Sequence, residues 1–342
     1  MSGLLDSSPV PSPMSSIRSL LSPRGRVRAR GPAGPPAPFV VGAPRSGTTM
    51  LRLMLDAHPE IAIPPETYFV TKAAKHWRRP RKALLRRHDR VEEYLEAVTG
   101  HKRWPDFHLD ADAFRARVRE ANPRTLGDAV REFYEMYAEK VGKPRWGDKT
   151  PFYVRKMDVI QEVLPEARFI HLIRDGRAVA LSIKDLWFGP DTIEGCAEFW
   201  VARIDEAREK ARGLDGRYIE VRYEDLVRDP EPELRRICEL VELPYDERMV
   251  RYYEHVDERI AIETPPEEVA PDGRVVSTEE RKKIMENVSR PPDPTRIDRW
   301  KTDMTAGERA TFEAIAGPRL RELGYPAEPA LGESGDAGEL AT

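Results

Sequence analysis

The segment "VVGAPRSGTT", residues 40–49, contains the residue types of an anion-binding turn. Gly42 and Gly47 enclose four residues, and two threonines open the helical pattern that follows. Successive backbone N–H groups and a helix N-terminus can bind a phosphate without a charged side chain. Nucleotide triphosphatases place a lysine directly after the second glycine, whereas this chain has Thr48 there and Arg45 earlier. The turn therefore predicts a phosphate site and disfavours ATP or GTP hydrolysis. The alternative is an ordinary strand-to-helix turn with a glycine at positive φ.

A second pair of phosphate-binding side chains follows another apolar run, "RFIHLI" at residues 168–173. Arg174 ends this run, and Ser182 lies eight residues later. Ligands of open α/β sheets bind at the carboxyl ends of the strands, and a guanidinium group offers a fork of donors to phosphate oxygens. We therefore predict that Arg174 and Ser182 bind an anionic group. In the alternative, Arg174 and Asp175 only cap the next helix.

A carboxylate close to the phosphate turn could carry out acid–base chemistry. Glu66 lies in "IPPET", where two prolines fix φ and stiffen the segment that presents the carboxylate. A positioned carboxylate can remove the proton of an attacking hydroxyl. Glu66 is therefore a candidate general base. The alternative is a capping carboxylate for the following helix.

The two phosphate-binding segments together resemble the signatures of sulfotransferases that use 3′-phosphoadenosine 5′-phosphosulfate (PAPS). "PRSGTT" resembles the loop that holds the 5′-phosphosulfate, and "RFIHLIRDGRAVALS" resembles the second signature. Within the family, the runs "PRSGTTMLRLMLDAHPEI" and "DKTPF" are similar to tyrosylprotein sulfotransferases, and "VRYEDL" and "RIDRWK" also look familial. The resemblance spans about residues 38–325. It implies a P-loop-like fold and transfer of a sulfuryl group from PAPS to a hydroxyl.

The resemblance also implies a role for each matching residue. Glu66 matches the catalytic base, and Lys149 would stabilise the charge that grows on the departing bisphosphate. A surface ion pair with Asp148 is the alternative for Lys149. No metal is implied, because fixed donors supply the electrostatic stabilisation. The residues expected to contact PAPS are Arg45, Ser46, Gly47, Thr48 and Thr49 at the 5′-phosphosulfate, Arg174 and Ser182 at the 3′-phosphate, Tyr223 at the adenine and Arg299 in a late basic loop. The alternatives are core packing for Tyr223 and a solvated turn for Arg299.

Three positions depart from the tyrosylprotein enzymes. Ile63 and Gly147 stand where those enzymes have cysteines, and Tyr68 stands where they have an arginine that helps to hold the substrate. No apolar stretch reaches the length of a membrane span. These features predict a soluble, bacterial-type, cytoplasmic member and argue against a protein-tyrosine acceptor. The acceptor classes left open are small molecules, glycans, lipids and peptides.

Short apolar runs that alternate with longer helical patterns indicate the fold. The strand candidates are Phe39–Gly42, Ile61–Ile63, Arg168–Ile173 and Tyr218–Arg222. The helix candidates are Thr48–Ala57, Thr125–Lys140, Phe152–Val163, Ile193–Arg212, Glu231–Val241 and Ala306–Leu323. Strands separated by helices of this length predict βαβ units. We therefore expect an α/β, P-loop-like three-layer fold with a mostly parallel central sheet and helices on both faces.

Composition divides the chain into one folded region and two tails. Residues 1–37 are rich in Ser, Pro and Arg, and residues 327–342 are acidic, so both are predicted to be disordered. Residues 38–326 are expected to form one sulfotransferase domain. Within it, residues 70–125 break the alternation and are predicted to be a helical insertion on the acceptor side. Its basic run, residues 72–90, either attracts an acidic acceptor by electrostatic steering or forms the solvent-exposed face of a helix.

Composition also argues against several other functions. The formal net charge of −3 gives no basic field for nucleic acid, and two cysteines in 342 residues are too few for a disulfide framework. The rival hypotheses are a P-loop kinase or nucleoside triphosphatase, and a relative that binds nucleotide without catalysis. Thr48 at the lysine position argues against the first. The joint presence of Glu66, Lys149, Arg174 and Ser182 argues against the second. The sequence does not indicate an oligomeric state.

Overall fold

The computed structural model describes residues 34–77, 87–184, 186, 189–254, 256, 267–269, 275–277 and 288–327. The strands are β1 Ala37–Gly42, β2 Ile61–Ala62, β3 Arg145–Trp146, β4 Asp148–Lys149, β5 Ala167–Ile173, β6 Tyr218–Arg222, β7 Glu267–Val269 and β8 Val275–Ser277. The helices are α1 Thr48–Asp56, α2 Phe69–Trp77, α3 Arg87–Thr99, α4 Ala111–Ala121, α5 Leu126–Lys140, α6 Met157–Val163, α7 Gly176–Ile183, α8 Ile193–Ala211, α9 Tyr223–Arg228, α10 Pro230–Leu240, α11 Trp300–Asp303 and α12 Ala306–Glu322.

The central sheet is parallel and has the strand order β4-β1-β5-β6. The register of β1 aligns Gly42 with Leu172 of β5. β5 ends level with β6, because Ile173 pairs with Arg222. The carboxyl ends of these strands therefore lie at the same edge of the central sheet. Open α/β sheets bind their ligands at this edge.

Side chains of β1 alternate between the two faces of the sheet. Phe39 and Val41 are buried in one core with residues of α5 and α6, whereas Val40 is buried in a second core with residues of α1 and α10. Helices therefore cover both faces, which confirms the predicted α/β fold. The predicted strand at Ile61–Ile63 is present as β2, but it pairs with β3 outside the central sheet.

The edge strand β4 has no counterpart in the sequence prediction. Its two residues, Asp148 and Lys149, are polar, yet both are buried and pair in parallel with β1. A strand is identified in a sequence by an apolar run or by apolar–polar alternation, and this segment has neither. Buried polar residues in a sheet need polar partners, so β4 requires hydrogen-bonding side chains from neighbouring segments.

The predicted helix Phe152–Val163 is wrong in its first half. Residues Pro151–Lys156 form a 3₁₀ segment, and α6 begins only at Met157. Lys156, the residue before α6, has a φ of −137°, outside the helical region. The other predicted helices agree with the structure to within one residue at each end.

In its described residues, the region that breaks the strand–helix alternation contains the helices α2, α3 and α4. Its aromatic side chains pack edge to face against α5, where the ring of Phe133 lies 4.8 Å from the rings of both Phe69 and Phe107. These rings belong to the same buried cluster as Phe39 and Phe169 of the central sheet. The helices thus share a core with the sheet. Their role as an insertion on the acceptor side stays a prediction.

Parts of the sequence predictions fall outside the described residues. Both predicted tails lie there, apart from residues 34–37 and 327. Residues 78–86 of the basic run also lie there, while Lys72 and Lys75 are exposed on α2. Among the described residues, none of the helices combines the length and the apolar character that crossing a bilayer requires.

Candidate functional site

The turn between β1 and α1 closely approaches a neighbouring aromatic ring. Gly42 ends β1, and Thr48 begins α1. Between them Arg45 and Gly47 have φ values of 70° and 94°, which lie in the left-handed region. A Cβ on Gly47 would lie 2.4 Å from the ring of Tyr223. Gly47 is therefore required both for its backbone conformation and for space.

Two arginines from separate strand ends meet beside this turn. Arg174, directly after β5, donates from Nη1 to the carbonyl oxygen of Arg45 at 3.1 Å. Nε of Arg45 donates to the hydroxyl of Ser182 on α7 at 3.0 Å. Burial and the charge of Arg174 lower the pKa of Arg45. Two guanidinium groups held this close favour an anion beside them. We call residues 42–49 together with Arg174 and Ser182 the phosphate cradle.

The residue after Arg174 caps the next helix. The side chain of Asp175 accepts from the N–H of Arg177 at 2.9 Å and so begins α7. Arg174 itself does not take part in this cap; its guanidinium points to the carbonyl of Arg45. The alternative interpretation of Arg174 as half of a helix cap is therefore not what the structure shows.

Tyr223 borders the phosphate cradle. It begins α9 directly after β6, and the guanidinium of Arg174 lies 4.5 Å from the centre of its ring. The ring is half-buried and packs against the second core. A flat aromatic face beside a phosphate site can stack with a purine base. Both interpretations of Tyr223, adenine contact and core packing, fit this position.

Two buried polar atoms in the cradle have no hydrogen-bond partner. They are the hydroxyl oxygen of Ser46 and Nε of Arg174. An unpaired buried polar group typically costs about 1–3 kcal/mol, so a native protein that keeps such groups needs a reason. Phosphate oxygens accept hydrogen bonds from both kinds of donor. The residues present therefore fit a phosphate-bearing ligand.

Glu66 and Lys149 form a close ion pair next to the cradle. Nζ of Lys149 lies 2.6 Å from Oε1 of Glu66 and 3.4 Å from the hydroxyl of Thr49. The hydroxyl of Tyr68 donates to Oε2 of Glu66. The alternative of a surface ion pair between Lys149 and Asp148 is wrong, because Lys149 is only 4% exposed and pairs with Glu66.

The charges around this ion pair shift both of its pKa values. Burial alone would raise the pKa of Glu66, but the positive charges of Lys149 and Arg103, with hydrogen bonds from Lys149 and Tyr68, hold it below its ordinary value. Burial lowers the pKa of Lys149, and the charge of Glu66 opposes this shift. Glu66 is therefore ionised at neutral pH, as a general base must be.

Helix α1 positions the segment that carries Glu66. Nε of Arg52 donates to the carbonyl of Ile63 at 2.9 Å, and the N–H of Ile63 donates to Asp56 at 2.8 Å. Two buried prolines follow Ile63 and lead to Glu66. The helix that begins at the phosphate cradle thus also fixes the approach of the carboxylate.

The predicted PAPS contact Arg299 lies on the surface. Its side chain is exposed and pairs with Asp303 at 2.8 Å. The next residue, Trp300, is buried, and the guanidinium of Arg177 lies 3.5 Å from its ring centre. Arg177 in turn pairs with Asp175 at the start of α7. The late segment is therefore anchored near the cradle, and the role of Arg299 itself stays a prediction.

Two neighbours of Glu66 were not identified from the sequence as functional. Arg103 lies just before the 3₁₀ segment Trp104–Phe107 and acts electrostatically on Glu66, Tyr68 and Lys149. No local pattern marks Arg103, because its position arises from the packing of the helical region. One indication for Tyr68 was present in the sequence, because this residue stands where the tyrosylprotein enzymes have an arginine that helps to hold the substrate.

Comparisons with known proteins agree with this fold. The profile of the sulfotransferase family matches residues 36–247. Protein-tyrosine sulfotransferase A of Caenorhabditis elegans is 25% identical over 84% of this chain and 66% of its own length. The protein-tyrosine sulfotransferase of Drosophila melanogaster is 27% identical over 85% of this chain and 52% of its own length. Nodulation protein NoeE of Sinorhizobium fredii is 28% identical over 88% of this chain and 68% of its own length. The chain thus spans about half to two thirds of the length of these relatives.

Solved structures share the fold. The sulfotransferase domain of the Synechococcus PCC 7002 olefin synthase has a TM-score of 0.56 at 22% identity, covering 89% of this chain and 98% of that domain. The sulfotransferase domain from the curacin biosynthetic pathway has a TM-score of 0.55 at 19% identity, covering 86% and 99%. At this identity the likeness establishes the fold alone. Because the family profile covers more than half of the sequence, this chain belongs to the sulfotransferase family.

Proposed function

We propose that this protein transfers a sulfuryl group from PAPS to an acceptor hydroxyl. One observation carries the proposal: Thr49 of the phosphate cradle lies 3.4 Å from Lys149, which pairs with the carboxylate of Glu66. A phosphate site and a base–ammonium pair are therefore adjacent. Transfer of a group that is attached to a phosphate requires this proximity. Membership of the sulfotransferase family supports the same reaction.

The cradle offers separate donors for the two phosphate groups of PAPS. Residues 46–49, at the start of α1, are proposed to contact the 5′-phosphosulfate through N–H and hydroxyl groups, with Arg45 beside them. Arg174 and Ser182 are proposed to contact the 3′-phosphate. Tyr223 offers its ring to the adenine. Since Ser46 and Arg174 each keep an unpaired buried atom, a phosphate ligand would complete their hydrogen bonding.

In the proposed reaction, the acceptor oxygen attacks the sulfur atom while Glu66 takes its proton. An O–S bond forms, the S–O bond to the 5′-phosphate breaks, and adenosine 3′,5′-bisphosphate leaves. Lys149 stabilises the negative charge that develops on the leaving oxygen. Within the described ranges, no three His, Cys, Asp or Glu side chains come together in a way that could hold a metal ion. Transfer without a metal is part of the proposal.

The acceptor is proposed to be a hydroxyl compound from one of the open classes: a small molecule, a glycan, a lipid or a peptide. Two of the relatives are named for protein tyrosine, so tyrosine peptides belong among the acceptors to test. A cytoplasmic location and the absence of nucleic-acid partners stay predictions.

The proposal is tested by incubating the purified protein with PAPS labelled in its sulfate group. The acceptor panel contains phenols, sugars, lipids, tyrosine peptides and a metabolite extract, and EDTA is present throughout. We expect label in at least one acceptor and release of an equal amount of adenosine 3′,5′-bisphosphate. A separate assay with ATP–Mg²⁺ and without EDTA tests the kinase hypothesis, which phosphate transfer to an acceptor would support instead. Tight bisphosphate binding without label in any acceptor would support a non-catalytic relative.

A further inference from the structure

A buried chain of hydroxyl groups lies directly behind the candidate base and its lysine. The hydroxyls of Thr67 and Tyr134 both donate to Oδ2 of Asp148, at 2.8 and 2.9 Å. The hydroxyl of Tyr153 lies 2.9 Å from that of Thr67. All four side chains are buried. A buried carboxylate with several hydroxyl donors is a well-defined hydrogen-bond network rather than an incidental contact.

The chemistry of these groups fixes the direction of each hydrogen bond. The ionised carboxylate of Asp148 can only accept, so Thr67 uses its single hydroxyl proton toward it. Thr67 therefore accepts from Tyr153, and the Tyr153 oxygen accepts from the N–H of Val70 at 3.2 Å. All three hydroxyl groups of this network thus donate in the direction of the buried carboxylate of Asp148.

The network joins the two segments that carry the proposed chemistry. Thr67 directly follows Glu66, and Asp148 directly precedes Lys149. A second bond runs from the N–H of Thr67 to the hydroxyl of Thr150 at 3.1 Å. Thr67 is therefore bonded to the residues on both sides of Lys149. These bonds restrict how far the charged ends of Glu66 and Lys149 can separate.

We propose that Thr67 and Asp148 form a clamp that positions Glu66 against Lys149 for sulfuryl transfer. This inference rests on the proposed function, because it assigns the clamp to that reaction. The two residues act through Glu66 and Lys149, so they are positioning residues rather than catalytic ones. A misplacement of about 1 Å can cost about 100-fold in rate. The clamp is therefore expected to affect turnover and to leave the phosphate cradle unchanged.

The carboxylate of Asp148 makes the clamp sensitive to pH. Burial raises the pKa of Asp148 to about 6, while its hydroxyl partners and the charge of Lys149 oppose this rise. The titratable groups that face it are Lys149, Tyr68, Tyr134 and Tyr153. Protonation removes the negative charge toward which the hydroxyls of Thr67 and Tyr134 donate, so both of these hydrogen bonds weaken. Turnover is therefore expected to fall as the pH drops through about 6.

The first test compares Thr67→Val with Thr67→Ser. Valine removes the hydroxyl and keeps the shape of the side chain. We expect kcat to fall about 10- to 100-fold, with the Kd for adenosine 3′,5′-bisphosphate changed by less than about threefold. Thr67→Ser keeps a hydroxyl and should retain most of the wild-type kcat.

A matched pair of tyrosines separates positioning from general stability. Tyr153→Phe removes a hydroxyl of the network, and Tyr94→Phe removes a buried hydroxyl that donates to the carbonyl of Ala129 at 2.9 Å. Both rings lie in the same core. We expect similar losses of melting temperature for the two variants and a loss of kcat only for Tyr153→Phe.

Two further readouts report on the clamp directly. The kcat–pH profile of the wild type should have an acid limb near pH 6 that Asp148→Asn lacks. In ligand-free protein with carbon-labelled lysine, the Lys149 resonance, assigned by its absence in Lys149→Met, reports the pKa of this amine. Thr67→Val should lower that pKa, because the stabilising charge of Glu66 moves away, and Thr67→Ser should leave it unchanged.

The outcomes distinguish this inference from the proposed function. Wild-type kcat in Thr67→Val, or a parallel loss of kcat, bisphosphate affinity and melting temperature, would overturn the clamp. An unchanged Lys149 pKa in Thr67→Val would overturn it even if no acceptor is known. If the pKa shifts as expected but the wild type transfers no sulfate, the clamp stands and the proposed function fails.

Discussion

At the scale of single residues, the two oxygens of Glu66 have different partners. Lys149 occupies one oxygen and Tyr68 donates to the other. The ammonium keeps Glu66 ionised but also makes it a weaker base, because a lower pKa means a lower proton affinity. In the proposed reaction, charge that grows on the leaving oxygen competes for Lys149. The basicity of Glu66 then rises while the acceptor loses its proton.

The assignment of Glu66 predicts a separation of turnover from binding. Glu66→Gln keeps the shape of the side chain and removes its charge. We expect kcat to fall at least about 100-fold, while the Kd for adenosine 3′,5′-bisphosphate measured by calorimetry stays within about threefold of the wild type.

The matched control for this variant is Glu220→Gln. Glu220 also pairs with a cation, Arg208, and accepts from a tyrosine hydroxyl, that of Tyr218. It should change kcat little. Wild-type turnover in Glu66→Gln would contradict the role of Glu66 as the general base. A loss of bisphosphate affinity with unchanged turnover would mean that Glu66 contributes to binding rather than to catalysis.

Sequence alone identifies the charged residues that the structure brings together, but it does not identify their partners. Glu66, Lys149, Arg45 and Arg174 stand in recognisable segments, so they could be named before the structure. The alternative of a surface ion pair between Asp148 and Lys149 is wrong, since Asp148 lies fully buried and accepts hydrogen bonds from hydroxyls. Burial of a polar pair in a two-residue strand depends on the sheet around it, which no local pattern reports.

At the scale of secondary-structure elements, the site is assembled from strand ends. The parallel order β4-β1-β5-β6 places Lys149, the turn after Gly42, Arg174 and Tyr223 along one edge. Apolar runs identify β1 and β5, because these two strands are buried between two helical layers. The edge strand β6 is only partly buried, and Val221 is its one fully buried residue. The polar strand β4 could not be predicted in this way, although it carries Lys149.

The turn between β1 and α1 predicts a specific glycine requirement, tested by Gly47→Ala. Gly142→Ala is the matched control, because Gly142 also has a left-handed φ, of 72°, but a Cβ there meets nothing within 4 Å. We expect the control to cost about 1–2 kcal/mol in the free energy of unfolding. Gly47→Ala should cost more and weaken bisphosphate binding at least about tenfold, because the ring of Tyr223 must move.

Urea unfolding and calorimetry measure these two effects. Equal destabilisation by the two alanines, with bisphosphate affinity intact in Gly47→Ala, would contradict the close packing of Tyr223 against the turn.

At the scale of the whole molecule, buried charges tie helix α12 to the phosphate edge. Arg177 is 1% exposed and pairs with Asp175 at 2.7 Å and with Glu313 of α12 at 2.5 Å. Trp300 packs against the same guanidinium. Residues distant in sequence thus hold the segment directly after Arg174, so the cradle depends on docking of α12.

This buried network predicts a large stability effect for Arg177→Met. The substitution leaves two buried carboxylates without their cation, which typically costs about 3–5 kcal/mol. The control is Arg235→Met, which breaks an exposed pair with Glu231 and should cost no more than about 1 kcal/mol. Urea unfolding of both variants measures the difference. Equal costs would mean that α12 is held by apolar packing alone.

Alternation of strands and helices predicts the helical layers on both faces of the central sheet, but it does not predict the arrangement of residues 70–125. Residues 70–125 showed no period that related them to the sheet. Their place is set by aromatic packing around Phe133 of α5, which joins Phe69 and Phe107 to the central core. Contacts of this kind join segments that are far apart in sequence, so a local pattern cannot report them.

The central claim is that the cradle binds an adenosine bisphosphate rather than a triphosphate. Calorimetric titration of the wild-type protein with adenosine 3′,5′-bisphosphate in EDTA, and separately with ATP–Mg²⁺, tests this without knowledge of the acceptor. We expect a Kd in about the micromolar range or tighter for the bisphosphate. Arg174→Ala should weaken it at least about tenfold, and ATP–Mg²⁺ should bind more weakly. Tighter binding of ATP–Mg²⁺ than of the bisphosphate, or unchanged affinity in Arg174→Ala, would contradict the claim.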